Sequence, residues 1–339
     1  MRSDDAPQSL WSRLDRSGRF SLSLLALLAL LGLLAPLLAN TQPLLVLDHG
    51  EITLPALNFA PASRFDPAMP AIRADFHDPA LRHALQTQHA LILWAPDPHG
   101  PNSLVWHASQ APAPPSWTSP LGTDAADHDV LAGLLYSLRF LFLAGLGLTL
   151  SAAAIGTSVG ALQGYYGGLP DLIGQRLVEI WNALPVLFLL IALASLLGHS
   201  LMTLLIAMLA LSWTTLIPAI RAETLRARRL DYVRAATALG LPDHQIILRH
   251  ILPNASAALL ANLPFSFAGA ISLLASLSFL HLGPSQGAAA LGALAAEARN
   301  HLNAPWLAAT AILGLGLILI PSVLLGISLR QALDPRHRS

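Results

Sequence analysis

Residues 221–254 read RAETLRARRLDYVRAATALGLPDHQIILRHILPN, and this polar stretch decides how the rest of the chain is interpreted. It carries six arginines against three acids and lies between apolar segments long enough to span a membrane. Residues 222–239 have apolar positions at helical spacing, and Gly240 can take a left-handed C-cap. Pro242 can then begin a second helix, which Pro253 is expected to end. The pattern predicts two short helices with an exposed cationic face, which would form a docking surface.

The same stretch resembles the EAA loop of the permeases of ATP-binding cassette (ABC) importers, in particular their peptide/nickel branch. The resemblance rests on residue types and spacing at Arg234-Ala235-Ala236, at Gly240 and at His250-Ile251-Leu252-Pro253-Asn254. It implies a coupling loop that fits a groove on a separate ATPase. The implied coupling residues are Arg234, Ala235, Ala236, Gly240, His250, Leu252, Pro253 and Asn254. Arg234 stands where the family usually has Glu, and the residues alone also allow a plain basic cytoplasmic loop.

Composition places the chain in the membrane class, since 54% of its residues are hydrophobic and 11% are charged. It has no cysteine, which excludes disulfides and thiolate chemistry. All nineteen basic residues are arginine, and a Walker A phosphate loop needs a lysine. Any role driven by ATP therefore requires a separate ATPase chain.

Apolar segments predict an all-α integral membrane protein with six transmembrane helices. We expect a cytoplasmic N-terminus at 1–19, a first helix at 20–39, a periplasmic insert at 40–130, and a permease domain at 131–335 that includes the loop 221–254. The later spans are predicted at 134–162, 178–197 (interrupted by Pro185), 201–220, 255–282 and 307–329. Residues 20–39 could alternatively belong to a cleaved signal peptide, and the insert is exported in either case. The family resemblance implies the type I ABC importer permease fold.

The insert is polar and rich in proline, and short pieces such as Ala90–Trp94 are typical of strands, so we expect a small folded unit. Its histidines have no helical ligand spacing and are predicted to be scattered on the surface without a metal; they are His77, His83, His89, His99 and His107. Three stretches, at 41–45, 91–96 and 112–117, resemble the permeases of importers for oligopeptides and microcin C.

A second motif precedes the permease domain, where residues 120–131 read PLGTDAADHDVL. It resembles the LGTDxxGRDVL signature of dipeptide and oligopeptide permeases. The matching positions form our predicted periplasmic signature: Leu121, Gly122, Thr123, Asp124 and Asp129. Asp127 and His128 replace the usual Gly-Arg. Gly122 with Thr123 and Asp124 indicates a turn and a helix cap leading into the next span, and a purely structural role is the alternative interpretation.

The permease domain contains a row of glycines and further segments that resemble motifs of the family. Gly156, Gly160 and Gly164 fall on one helix face, which predicts close helix packing, although glycine is also simply tolerated in lipid. The segments 164–171, 275–280 and 333–336 resemble the family's GYFGGxxD, ASLSFL and LDPR motifs. Leu274 and His281 replace a usual Glu and a usual Gly.

Charge predicts the orientation. Six spans place both termini and the loop 221–254 on one side, which then holds fourteen of the nineteen arginines. The positive-inside rule makes that side cytoplasmic. The family resemblance implies that the membrane is the bacterial inner membrane.

The resemblance implies a permease subunit that moves oligopeptides or peptide-like compounds by alternating access. It implies a second permease, two ATP-binding subunits that carry ATP and Mg, and a periplasmic solute-binding protein as partners, with membrane lipid around it. No cofactor on this chain and no nucleic acid are expected.

Three alternatives stay open. A secondary transporter would use intramembrane acids, and only Glu179 is placed for this role. A degenerate, weakly coupled permease is suggested by the departures at Arg234, His128, Leu274 and His281. A membrane hydrolase is the third alternative, although His281 near Ser276 and Ser278 lacks an acid partner within a span.

Overall fold

The computed structural model describes residues 10–48, 51–56, 58–65, 69–76, 78–88, 90–105, 111–197, 200–283 and 290–333. Several predictions lie outside these residues: His77, His89, His107 and the tail motif beyond Leu333. The chain forms two compact units. One comprises the described parts of Met1–Leu28, Leu141–Pro284 and Leu315–Ser339, and the other those of Ala29–Phe140 and Ser285–Gly314.

Helices dominate the described chain. They are α1 (Leu10–Arg13), α2 (Arg16–Leu33), α3 (Ala35–Leu38), α4 (Pro79–Thr87), α5 (Val130–Tyr166), α6 (Gly168–Asn182), α7 (Val186–Leu197), α8 (Leu201–Ser212), α9 (Ile217–Ala227), α10 (Asp231–Ala238), α11 (Asp243–Ile246), α12 (Leu252–Phe279), α13 (Ala290–Asn300) and α14 (Pro305–Leu333). Short 3₁₀ helices lie at Ala62–Arg64 and Trp213–Leu216, and a π-helical turn lies at Ile247–Ile251.

Five helical segments of the described chain are long and apolar enough to cross a membrane, and a bent pair adds a sixth. The five are Arg16–Leu33, Val130–Tyr166, Leu201–Ala227, Asp243–Phe279 and Pro305–Leu333. The third predicted span differs from expectation, because α6 and α7 meet at an angle of 71°. Pro185, which lies between them, removes a backbone donor and favours this break. Six spans are thus present if the bent pair counts as one.

Close packing along α5 agrees with its glycine pattern. A Cβ atom at Gly156, Gly160 or Gly164 would come within 2.7–2.9 Å of backbone carbonyl oxygens in the segment 213–221. Side chains larger than glycine would push these helices apart, so the close approach depends on the three glycines.

The insert contains a small sheet, in agreement with the strand-like pieces expected in this part of an otherwise helical chain. The strands β1 (Leu45–Asp48), β2 (Glu51–Thr53) and β3 (Leu91–Leu93) pair antiparallel in the order β2-β1-β3. The strand expected at 90–94 is β3. Apolar side chains from α4 and the loops cover the sheet, with the core residues Val46, Phe65, Phe76, Leu81 and Leu85 all at most 2% exposed. This core explains why a polar segment folds.

Candidate functional site

The stretch 221–254 forms a helical elbow, but its first helix is not continuous. We predicted one helix over 222–239, whereas α9 ends at Ala227 and α10 begins at Asp231. Leu230 has an extended backbone (φ −75°, ψ 148°) between them. The break lets Ala227 and Val233 face the same apolar cluster, so tertiary packing overrides the local helical periodicity here.

The joint of the elbow is a Schellman turn at Gly240, as the sequence predicted. Gly240 has a φ of 77°, its N–H donates to the Thr237 carbonyl (3.0 Å), and the Leu241 N–H donates to the Ala236 carbonyl (3.2 Å). A Cβ atom at Gly240 would meet no atom within 4 Å. The glycine is therefore required by its backbone conformation and not by a shortage of space.

The second half of the elbow runs on into a transmembrane helix. We predicted that Pro253 ends this helix, and that prediction is wrong. The helix α11 passes through the π-helical turn 247–251 directly into α12, and the whole stretch Asp243–Phe279 is one membrane-length segment. Pro253 lies in the first turn of α12, where its missing N–H costs little.

A compact core holds the elbow together. Its members come from α9, α10, α11 and the π-helical turn and are at most 4% exposed: Ala227, Val233, Ala236, Ile246 and Ile251. The predicted coupling residues differ in how far this core buries them. Ala236 is buried inside it, His250 and Leu252 are partly buried, and Arg234, Ala235, Gly240, Pro253 and Asn254 are exposed.

Tyr232, which the motif comparison missed, joins the two ends of the elbow. The Asn254 amide donates to the Tyr232 hydroxyl and to the His250 carbonyl (3.1 Å), and the Tyr232 hydroxyl donates to the same carbonyl (3.4 Å). His250 and Asn254, two of the predicted coupling residues, are thus both in contact with a tyrosine that only the fold reveals.

Polar anchors attach the elbow to α5 and α6. The Arg221 guanidinium makes a bidentate ion pair with the Asp171 carboxylate, with Nη2 donating to Oδ2 at 2.6 Å. Arg228 donates to the Tyr165 carbonyl at the end of α5 (2.9 Å), and the Tyr165 hydroxyl donates to Asp243 (2.7 Å). Two of the six arginines thus hold the elbow in place and are not part of a free cationic face.

The outward face combines charge with apolar side chains. Its exposed arginines are Arg226, Arg229, Arg234 and Arg249. Leu239, directly before the joint, is 82% exposed and Leu248 is 61% exposed. Leu230 and Tyr232 are about half as exposed as Leu239. Apolar side chains so exposed beside arginines are typical of a surface that a partner covers.

The signature at 121–129 forms the turn predicted at Gly122, Thr123 and Asp124, but the helix cap lies at Asp129 and not within those three residues. Gly122 has a φ of 77°, and a Cβ atom there would lie 2.8 Å from the Trp306 indole nitrogen. That indole donates to the Thr123 carbonyl (3.1 Å). Asp129 caps α5, since its Oδ1 accepts from the Ala132 N–H (2.9 Å).

Asp124 stabilises the same turn from within. Its carboxylate accepts from the backbone N–H groups of Ala126 and His128 and lies 3.0 Å from the His128 imidazole. Glu297 of α13 accepts from the Ala125 N–H, and burial raises the pKa of its carboxyl. The signature is therefore a connected structure to which the later part of the chain also contributes.

One histidine contradicts the surface prediction. His83 is exposed, as expected, but the His99 imidazole is only 17% exposed and lies against the buried Asp97 and close to the buried Asp129. Spacing could not reveal this group, because Asp129 is thirty positions away from His99 in the sequence.

The model of the family described as "binding-protein-dependent transport system inner membrane component" matches residues 138–339. The match covers the elbow and more than half of the chain. The chain belongs to this family and is an inner-membrane permease subunit of an ABC importer.

Similar proteins indicate which branch of this permease family the chain resembles. The inner membrane ABC transporter permease protein YejE of Escherichia coli K12 is 42% identical over 331 residues, which cover 97% of this chain and 96% of that protein. The peptidoglycan transport system permease protein YejE of Agrobacterium fabrum is 35% identical over 96% of this chain and 91% of its own length. The oligopeptide permease OppC of Haemophilus influenzae is 34% identical over 64% of this chain and 70% of its own length. Both YejE alignments are long enough to include the insert, which confirms the resemblance predicted from its short stretches.

Proposed function

We propose that this chain carries peptides or peptide-like compounds through the membrane and that its elbow transmits ATP-driven movement from an ATP-binding subunit. The observation that carries the proposal is the elbow's joint. The left-handed Gly240 turn presents Leu239, 82% exposed, between helices that a buried core fixes in place. An exposed apolar tip on an arginine-rich elbow suits a groove on a partner protein.

A peptide-like cargo is supported by the names of the relatives and by one cavity. Relatives include oligopeptide and dipeptide permeases and one permease named for peptidoglycan transport. Within the unit that holds the elbow, a cavity of about 360 Å³ has both apolar and amide or hydroxyl side chains in its wall. The polar members include Asn182, Thr215, Asn262 and Ser266. Such a wall suits a ligand that alternates peptide groups with apolar side chains.

The assembly we propose has a second permease, two ATP-binding subunits and a solute-binding protein. ATP and Mg would be held by the ATP-binding subunits, in keeping with the absence of lysine from this chain. The elbow and both termini would face the cytoplasm, where the arginines concentrate, and the insert would face the periplasm. Family membership favours this importer over a secondary transporter or a hydrolase.

The test is co-purification of the complex in mild detergent, followed by ATPase assays with peptide-loaded binding protein. We expect Gly240→Val to insert into the membrane normally but to lose stimulated ATP hydrolysis, because a β-branched residue resists a positive φ. Gly240→Asn is the matched control and should keep most of the stimulation, since Asn tolerates this conformation.

Other outcomes would contradict the proposal. Normal coupling in Gly240→Val would mean that the joint does not transmit movement. A wild-type complex that assembles but shows no stimulation would favour the degenerate permease, and an intact transport rate would exclude it.

A further inference from the structure

The insert contains a polar group that the transport mechanism does not use. A cavity of about 710 Å³ lies in the unit formed by the described parts of Ala29–Phe140 and Ser285–Gly314, and Asp97 and His99 line its wall. Asp129, the cap of α5, lies behind them at 1% exposure. Within the described residues, these three side chains are the group of histidine and carboxylate ligands that converge on one point.

Asp97 is held firmly in this position. Its backbone N–H donates to the Leu38 carbonyl (3.0 Å), and its carbonyl accepts from the Asn40 N–H (3.1 Å). Its Oδ1 accepts a hydrogen bond from the backbone N–H of His99 (3.0 Å) and lies 2.8 Å from Nδ1 of the His99 imidazole. The carboxylate and the imidazole are thus oriented together before any ligand arrives.

Two carboxylate oxygens in the group lack a partner among the residues that the structure describes. Asp97 is 7% exposed, and neither its Oδ2 nor the Oδ2 of Asp129 accepts a hydrogen bond from any of those residues. The Ser119 hydroxyl lies near Asp129 and lowers its pKa, yet it makes no hydrogen bond with that oxygen. Buried carboxylate oxygens normally find donors, so a pair without them indicates that a cation belongs there.

The chemistry of the three ligands restricts which cation can bind. One ligand atom from each side chain lies within 4.8 Å of the other two, so small side-chain adjustments can bring all three onto one ion. Imidazole with carboxylates suits Zn²⁺, whose ligand distances are about 2.0–2.2 Å. Ca²⁺ and Mg²⁺ prefer all-oxygen shells and would not use His99. We propose that Asp97, His99 and Asp129 bind one Zn²⁺, with water from the adjoining cavity completing its coordination.

This ion would join the insert to the second span. Asp97 follows strand β3 of the insert, and Asp129 is the residue from which α5 begins. A shared metal would fix the insert on the start of the helix. The inference uses only the geometry of this unit and does not depend on the proposed transport function.

The test uses the full-length chain in detergent, without a polyhistidine tag, stripped with a chelator and equilibrated with Zn²⁺. We expect about one zinc per chain by elemental analysis, and at least about a tenfold loss of affinity in His99→Gln and in Asp97→Asn. His128→Gln is the matched control, because it removes a comparable Asp–His contact of 3.0 Å that belongs to no group of three converging ligands among the described residues. Equal zinc binding in wild type and His99→Gln would overturn the proposal.

A measurement on the wild-type chain covers the case in which a variant misfolds. Zn²⁺ should protect His99, and not His128, from acylation of its imidazole, as read by peptide mass spectrometry. Mg²⁺ should give no protection. Unprotected His99 in saturating Zn²⁺, or equal protection by Mg²⁺, would show that the imidazole is not a zinc ligand.

Discussion

Asp127 and His281 both have left-handed backbones, with φ of 64° and 57°. These are two positions at which the family pattern usually has glycine. The backbone shape is therefore kept although the residues differ. Aspartate and histidine are among the side chains that enter this region most readily, at some cost in free energy. Replacing glycine by Asp127 and His281 therefore adds strain to the local backbone and leaves the turn in place.

His281 ends α12 in the same turn that Gly240 makes in the elbow. Its N–H donates to the Ser278 carbonyl (3.0 Å), and the Leu282 N–H donates to the Leu277 carbonyl (2.9 Å). We expect His281→Gly to stabilise the chain by about 1 kcal/mol, because glycine has no Cβ penalty at positive φ. Thermal unfolding in detergent should shift upward by about 2 °C. His281→Ala keeps the Cβ and serves as the control, so an equal gain from alanine would assign the effect to the imidazole instead.

At the scale of elements, the ion pair between Arg221 and Asp171 links α9 to α6. Asp171→Asn should weaken this contact by about 1–2 kcal/mol, because a partly buried guanidinium loses its charged acceptor. Reduced coupling of ATPase activity to the binding protein is the functional measurement. Glu223→Gln is the control, since the Arg226–Glu223 pair is long (3.9 Å) and exposed.

Exchange of the two residues makes the test more specific. The double variant Asp171→Arg/Arg221→Asp should recover part of the loss, since the pair can form with reversed polarity. If Asp171→Asn couples normally, the pair does not position the elbow. If Asp171→Asn loses coupling and the double variant recovers none of it, the loss does not come from the missing ion pair.

Local sequence signals predicted the elements where local physics controls them. The Gly240 turn, the turn at Gly122 and the glycine face of α5 all follow from backbone requirements that single residues express. The break between α9 and α10 could not be predicted in this way, because it is set by the apolar cluster shared by Val233 and Ile246. The continuation of the helix past Pro253 was not predicted, because proline breaks a helix only in its interior, where the missing N–H would donate a backbone hydrogen bond. Pro253 lies in the first turn of α12, where no such bond is lost.

At the scale of the molecule, six apolar segments sufficed to predict the membrane class, and motif spacing sufficed for the family. The insert was harder to predict because its sheet depends on pairing between β1 and β3, which lie about forty residues apart. The group of Asp97, His99 and Asp129 was missed for the same reason. Contacts between distant segments leave no period in the sequence.

The paired strands suggest a way to remove the insert cleanly. Leu45 and Leu93 are direct partners across β1 and β3, so residues 46–92 can be replaced by Asn-Gly to close a hairpin. We expect this variant to assemble with its ATP-binding subunits and to lose stimulation by the loaded binding protein. Blue-native electrophoresis checks assembly, and the ATPase assay checks delivery.

A matched control and the opposing result complete the test. Substituting the exposed Leu91 by Thr leaves the insert folded and should leave stimulation unchanged. Full stimulation in the hairpin variant would show that the insert has no part in delivery.

The uninterrupted path from α11 through α12 gives the elbow a mechanical advantage. Asp243–Phe279 has 37 residues. At about 1.5 Å per residue this lever is about 55 Å long, so a tilt of about 5° at one end moves the other end by about 5 Å. A displacement of that size is comparable to the spacing of one helical turn. In the transport proposed above, a small rocking of the elbow would be carried along this one helical segment to its far end.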